Sequence, residues 1–408
     1  MSCTARSTPY TDLIMNGLAN GHTNGHVDAL PPSDAPSIAL VEPTEEEKWA
    51  QWTLNGNSWK GALSLEGYCR REQYLADQDC TKNGGQSWWV LVDTASQGPR
   101  RRVLSGCETF CKTAVVARNG KTTDVIVHGV GSVFCPPEHR GRGYAGRMLE
   151  ELGKRLPTWQ TSEQRKCLFS ILYSDIGKKF YASHGWEPFP SSHISLPPVE
   201  ESANSSKLPA LKELKAEDLA PLCAADEALL RKGLVNAANG KTRVALIPNF
   251  ETIRWHHARE QFVGTELYGR FPSIKGGVVG DKEGQRIWCY WTRMWSNPNK
   301  GESKGNTLHI LRIVIEPDVV PGSVVPATAA LLARAQREAA EWHMEQVDYW
   351  NPSPEVVAAA QLLDPKAEVV DRDLESIASL RWFGEPPSDG GSIADSIEWV
   401  ANEKYGWC

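Results

Sequence analysis

The run Cys135-Pro-Pro-Glu-His-Arg-Gly-Arg-Gly-Tyr-Ala145 sets two glycines, two arginines and a small residue close together. That combination suits a bound diphosphate. Several backbone N–H groups must aim at one point, the chain must approach closely, and a helix N-terminus must stand behind. Gly141 and Gly143 carry no Cβ to block a ligand, and Ala145 is small where the next helix begins. Arg140 and Arg142 add positive charge. A plain turn with solvated arginines has the same composition, so the loop alone is a weak signal. A dinucleotide fingerprint would need a third glycine and a parallel βαβ setting, whereas the strands before this loop look antiparallel. Elsewhere, His256 and His257 flank Trp255 on a helical stretch with Glu260. Adjacent histidines point in different directions around a helix, so no metal site is expected there and hydrogen bonding is the simpler role. Trp288, Tyr290, Trp291 and Trp295 straddle both faces of one strand, which favours core packing.

These residues need elements to hold them. Residues 1–36, rich in Gly, Asn, Ser, Pro and His without apolar periodicity, are expected to be a flexible tail. Order begins at a short strand near Ser37. Thr44-Glu-Glu-Glu47 is a capping box for a helix through Trp49 and Trp52, and a second helix runs from Leu63 to about Leu75. Three β-like runs follow at 87–93, 102–116 and 123–135. Gln97-Gly-Pro99 and Arg118-Asn-Gly-Lys121 part them with turn chemistry, which gives an antiparallel meander. After the loop, Ala145, Met148, Leu149, Leu152 and Leu156 keep helical spacing up to Pro157. A strand at 166–173, a short helix ending at Gly185 and an extended piece from Trp186 complete an α/β (α+β) domain over 37–196. Its sheet is mostly antiparallel. Residues 197–210 have linker composition. Residues 211–408 repeat the order of elements, with helices at 216–234 and 250–262, strands at 276–279, 286–295 and 306–315, a helix at 327–344 and a strand at 346–350. The counterpart of the loop, 316–327, has lost the arginine and the paired glycines, so the second domain looks degenerate.

Bulk properties narrow the partners. Lys and Arg total 44 against 50 Asp and Glu, a net charge of −6, which argues against a nucleic-acid partner and suits a cationic ligand. No stretch has the roughly 20 apolar residues of a membrane span. Ten cysteines, none in a Cys-x-x-Cys pair, suggest reduced thiols in a cytoplasmic protein.

The block Gly131 to Leu149 resembles the acetyl-CoA motif of the GNAT acetyltransferase superfamily, with Arg140, Gly143 and Ala145 at its defining positions. A second block, Ile171 to Trp186, is similar to the superfamily's downstream strand and helix. Trp88-Trp-Val-Leu-Val-Asp93, Leu104-Ser-Gly-Cys-Glu-Thr-Phe110, Trp255-His-His-Ala-Arg-Glu260 and Lys404-Tyr-Gly-Trp-Cys408 resemble fungal lysine N6-acetyltransferases of the lysine-utilisation type. The resemblance implies tandem GNAT-like domains and acetyl-CoA as co-substrate. It implies direct transfer to a primary amine, the ε-amine of free L-lysine first among them.

Under it, Arg140, Gly141, Arg142, Gly143, Tyr144 and Ala145 hold the diphosphate, and the backbone of Val133, Phe134 and Cys135 holds the pantetheine arm and polarises the thioester. Tyr181 becomes the acid for the leaving thiolate or a packing aromatic, with Tyr173 behind it. An alkylammonium, with a pKa near 10.4, must lose a proton to a base. Glu108 and His128 are candidates, each equally able to be a satisfied sheet residue, and the Cys408 carboxylate is a third. An acyltransferase of fungal secondary metabolism, a protein-lysine acetyltransferase and a silent acetyl-CoA-binding scaffold are the competing expectations.

Overall fold

The computed structural model describes residues 30–96, 101–200, 208–235, 241–385 and 391–407. Strand β1 (Ile38–Val41) leads into α1 (Glu45–Trp59) and α2 (Leu65–Ala76). The capping box forms as its spacing requires: Glu47 N–H donates to Thr44 Oγ1 at 3.2 Å and Thr44 N–H to Glu47 Oε2 at 2.8 Å. The meander is β2 (Gln86–Asp93), β3 (Arg102–Arg118) and β4 (Lys121–Phe134). Asn119 and Gly120 join the last two with φ of 52° and 73°, as a two-residue hairpin turn requires. The other turn, Gln97–Pro99, lies outside the described residues, as does half of the expected linker, 201–207. After the loop come α3 (Tyr144–Arg155), β5 (Cys167–Ser174), α4 (Lys179–Ala182), β6 (Glu187–Pro188), β7 (Ser192–Leu196) and β8 (Lys212–Leu214).

The second half holds α5 (Leu219–Val235), β9 (Thr242–Leu246), α6 (Phe250–Tyr268), β10 (Gly276–Val279), β11 (Ile287–Met294) and β12 (Thr307–Ile315). It continues with α7 (Pro321–Glu341), β13 (Gln346–Trp350), α8 (Pro354–Leu363), β14 (Val369–Asp371), β15 (Ile377–Trp382), α9 (Ile393–Ser396) and β16 (Ile397–Trp399). Helix α7 starts at Pro321, ahead of the expected Ala327. Pro321 takes the first helical position, where its missing N–H is no loss, and Pro326 forgoes one backbone hydrogen bond without stopping the helix.

One sheet runs β1-β2-β3-β4-β5-β15-β6, with β9 on the outer end of β3 and β16 on β9; the other runs β14-β7-β13-β12-β11-β10-β8. Each is mostly antiparallel and holds a parallel pair bridged by a helix, β4–β5 across α3 and β12–β13 across α7, and the first sheet adds the parallel pair β9–β16. The repeated plan is real. The halves also exchange strands: β15 lies between β5 and β6, while β7 lies between β13 and β14. The boundary expected at 196/197 therefore does not separate the sheets.

Facing sides of the two sheets share a core of Val127, Phe169 and Ile171 with Trp288, Tyr290 and Leu311. On the other face of the first sheet, α3 packs with Trp186, whose indole is fully buried and donates to Ser170 Oγ at 2.6 Å. Burial of such a ring contributes about 3 kcal/mol. The flexible tail expected over 1–36 does not hold for residues 30–36. Leu30–Pro36 form turns against the loop and α3, with Leu30 and Ala35 in the same core, while residues 1–29 lie outside the described residues. No described helix is long and apolar enough to cross a membrane.

Candidate active site

Strand β4 carries an extra residue as it passes β3. Glu108 pairs with Gly131 and Gly106 with Phe134, so Ser132 and Val133 oppose Cys107 alone, and Ser132 takes φ of 51°. A bulge of this kind bends its strand. The parallel ladder between β4 and β5 ends at Val130–Leu172. Beyond it the strands part, and the β5-facing backbone edge from Gly131 to Cys135 stands open to an extended ligand. Val133 and Cys135 lean toward the α3 core, and Phe134 is buried beneath Trp59, whose ring centroid is 5.9 Å away.

The loop that follows is built for close approach. Gly141 and Gly143 have φ of 74° and 83°, a region that L side chains rarely adopt, and Gly143 caps α3. Behind it, Met148, Leu149 and Leu152 seat the helix in the core. No acidic residue occupies the first turn of α3, which leaves its positive end free for an anion. Arg140 donates Nε to the Cys135 carbonyl at 3.0 Å and lies 5.5 Å from the Phe134 ring centroid, while Arg142 is exposed. Ala145 is half-buried. Tyr144 differs from its expected role. Its side chain is buried, and its hydroxyl donates to the Pro31 carbonyl at 2.5 Å, so only its backbone is available to a ligand. The residues present fit a diphosphate.

Tyr181 sits on α4, a turn framed by Gly177 and Gly185 at φ of 78° and 91°. It packs into the α3-side core, only 9% exposed, and its hydroxyl bonds to no described residue. Burial raises its pKa, so the phenol stays protonated at neutral pH. Tyr173, the residue after the last rung of the β4–β5 ladder, points the other way, against Trp350 and Trp399.

The two candidate bases are also separated. Glu108 pairs with Gly131 and His128 with Cys111, three residues along β3, so their side chains leave opposite faces of the sheet. Glu108 is buried toward α1, α2 and the second sheet. It accepts from Trp52 Nε1 at 3.2 Å, Gln86 Nε2 at 3.0 Å and Ser132 Oγ at 3.4 Å. Burial and the nearby Glu72 carboxylate hold its pKa well above the usual carboxylate range, against those three hydrogen bonds. Gly129 and Gly131 share this face of β4 and place no side chain between Glu108 and the gap. His128 is fully buried on the α3 face, with Nε2 against the Trp159 carbonyl at 3.2 Å, and burial lowers its pKa to about 4. This corrects the expectation for His128, which cannot serve an acceptor arriving on the Glu108 side.

The C-terminal segment closes that side. Lys112 Nζ, on the Glu108 face, donates to the carbonyls of Gly406 at 2.8 Å and Trp407 at 3.3 Å, and His256 Nε2 meets the Tyr405 carbonyl at 3.0 Å. His257 binds the Trp291 carbonyl at 3.0 Å, so both histidines tie elements together. Cys408, the third candidate base, lies outside the described residues. Trp288, Tyr290, Trp291 and Trp295 are all core. An open cleft of about 830 Å³ near Arg312, Tyr349 and Trp399 contains neither the loop nor Glu108 or Tyr181, and the parted strands locate the chemistry better than that volume does.

A family model described as the LYC1 GNAT-like C-terminal domain matches residues 193–408, just over half of the chain. An uncharacterised protein of Saccharomyces cerevisiae is 24% identical over 416 residues, covering 90% of this chain and 97% of that one. A lysine acetyltransferase of Yarrowia lipolytica is 23% identical over 278 residues, 58% of this chain and 68% of its own length. Among solved structures, a GCN5-related N-acetyltransferase from Anabaena variabilis superposes with a TM-score of 0.50 at 14% identity, over 85% of this chain and 73% of that one. A conserved protein from Enterococcus faecalis gives the same TM-score at 13% identity, over 85% and 72%. Its tandem sheets share the fold of these solved structures, and by its sequence match over residues 193–408 the chain belongs to the LYC1 GNAT-like family and is a GNAT-type N-acetyltransferase.

Proposed function

We propose that the enzyme transfers the acetyl group of acetyl-CoA to the ε-amine of free L-lysine by direct attack on the thioester. The observation that carries this reading is the parting of β4 from β5, with the diphosphate-fitting loop on one side and buried Glu108 on the other. The Yarrowia relative's name supports lysine as acceptor. Enclosure by the C-terminal segment, where Lys404 and Tyr405 are buried, favours a small free amine over a polypeptide.

In the proposed reaction the ammonium of the acceptor gives a proton to Glu108, whose raised pKa suits a base working near neutrality. The freed lone pair attacks the carbonyl carbon, and backbone N–H groups at Val133–Cys135 stabilise the oxyanion. The carbon–sulfur bond breaks, Tyr181 supplies the proton that the thiolate takes up, and the second proton shed by the new amide nitrogen returns through solvent to the phenolate. Holding both substrates in line supplies much of the acceleration. The test is incubation with acetyl-CoA and a panel of amines, with released thiol followed. Lysine-dependent release is expected. Release with other amines but not lysine would overturn the acceptor, and tight acetyl-CoA binding without any release would overturn the activity.

A further inference from the structure

Across from Tyr173, the second sheet presents polar side chains. Alternation on β7, β12 and β13 sends Ile194, Leu308 and Val347 into that domain's own core and turns Ser195, His309, Asp348 and Trp350 toward the first sheet. Two cations sit against Trp350: Arg372 Cζ is 4.0 Å and Lys404 Nζ 4.5 Å from a ring centroid. They are 8% and 3% exposed.

Arg372 donates Nη1 to the Ser192 carbonyl at 2.7 Å, but its Nε and Nη2 are buried without a hydrogen-bond partner. Lys404 Nζ meets ring faces, with Trp407 at 4.1 Å, and among the described residues neither cation forms an ion pair. Elsewhere the chain pairs its buried cations. Lys275 and Arg293 bind Glu260, and Arg312 binds Asp226 and Glu403. The carboxylates whose charge reaches these two cations, Asp348 and Asp175, form no ion pair with them. Asp348 accepts from Ser195 Oγ at 2.7 Å and Gln346 Nε2 at 3.0 Å, and Asp175 from the Ser376 N–H at 2.9 Å. Burial, then Arg259, lowers the Lys404 ammonium to about 7. Two neighbouring buried cations without a counter-ion are unfavourable unless something else brings negative charge.

Their position says what that is. A Cβ on Gly406, two residues after Lys404, would stand 2.5 Å from the Tyr173 hydroxyl, and Tyr173 follows the last rung of the β4–β5 ladder. The cations therefore flank the gap on its Glu108 side. Strands spaced about 4.8 Å apart put Glu108 on β3 at least about 10 Å from Tyr173 on β5, where the ladder has opened. An extended lysine spans roughly 7 Å from carboxylate to ε-amine at ordinary bond lengths.

We infer that Lys404 and Arg372 bind the carboxylate of the acceptor, with Asp348 facing its α-ammonium, so that an amino acid enters head-first against Trp350 and offers its distal amine at the gap. The inference rests on the N-acetyltransferase reading above and adds the groups that select an amino acid over a simple amine.

The test compares L-lysine, L-lysinamide, 6-aminohexanoate and cadaverine as acceptors for the full chain and for Lys404→Met and Arg372→Met. With the unaltered enzyme, kcat/KM for lysine exceeds that for lysinamide by about 10- to 100-fold, as expected for losing charge-assisted hydrogen bonds to a buried site. The loss appears in KM more than in kcat. In each variant that keeps its cooperative melt, the lysine-to-lysinamide ratio collapses toward one, and 6-aminohexanoate follows lysine in this respect while cadaverine follows lysinamide. Equal use of lysine and lysinamide by the unaltered enzyme overturns the subsite and leaves the acetyltransferase standing. So does a ratio that survives in a folded variant. Rejection of lysine with carboxylate-dependent use of 6-aminohexanoate keeps the subsite and overturns lysine as acceptor. Failure to bind or acetylate any carboxylate-bearing amine overturns both.

Discussion

Replacing Glu108 by glutamine separates a catalytic carboxylate from a structural one, because the two roles predict opposite changes in stability. The amide keeps the shape of the side chain and one acceptor oxygen. Of the three donors around it, the Ser132 hydroxyl can rotate to accept from the new N–H, so the hydrogen bonds largely survive. What changes is the charge. The folded-state pKa of Glu108 is raised, so the folded protein holds this proton more tightly than the unfolded chain does. The favourable contribution is fully present below the unfolded value of about 4.3 and is lost as pH rises through the folded value. Each unit of displacement corresponds to about 1.4 kcal/mol, so above that pH Glu108→Gln removes a penalty and raises Tm by a few degrees. Loss of the base lowers kcat by about 10²- to 10⁴-fold. In a titration of kcat, the ascending limb of the parent enzyme lies above the ordinary carboxylate range and is missing from the variant. A kcat within threefold of the parent refutes the base role, and a joint fall of kcat and Tm marks Glu108 as scaffolding.

Two further substitutions address the donor side. Gly143→Ala forces a left-handed φ on an L residue, at roughly 1–2 kcal/mol, and puts a Cβ 2.7 Å from Ser33 Oγ; the dissociation constant for acetyl-CoA, measured calorimetrically, rises at least about tenfold. An unchanged constant removes the loop from the donor site. Tyr181→Phe deletes a protonated hydroxyl without altering the packed ring and lowers kcat about 10²-fold while leaving the acetyl-CoA dissociation constant nearly unchanged, by single-turnover and binding measurements; a kcat within threefold assigns Tyr181 to packing alone.

Much of the first domain was legible because its signals are local. The Thr44 capping box, the Asn119-Gly120 turn, the paired glycines and Pro157 each act within a few residues of themselves. The separation of Glu108 from His128 is legible there too. A two-residue turn at Asn119-Gly120 sets the register of β3 on β4, placing His128 opposite Cys111, an odd step from Glu108, and hence on the other face. The bulge at Ser132 leaves no such trace, since Ser is a common residue in any strand. Membership of β7 and β15 was illegible for a different reason. Ile377-Ala-Ser-Leu-Arg-Trp382 fits any half-buried sheet position, and only the packed whole decides which β-edge it joins. Arg372 and Lys404 escaped because a cation in sequence looks solvated; their lack of partners is a property of the folded interior.

The strand exchange also bears on descent. The second sheet, whose counterpart of the loop at 316–327 lacks the arginine and the paired glycines, is not a separable part. Here β15 is the immediate neighbour of β5 in the working sheet, and β7 repays the loan on the other side. Deleting either copy would strip a strand from the survivor and bare a backbone edge prone to aberrant pairing. The second half is thus held in place by architecture before any contribution to catalysis is counted, and fragments divided at the midpoint are not expected to persist as separate heritable units.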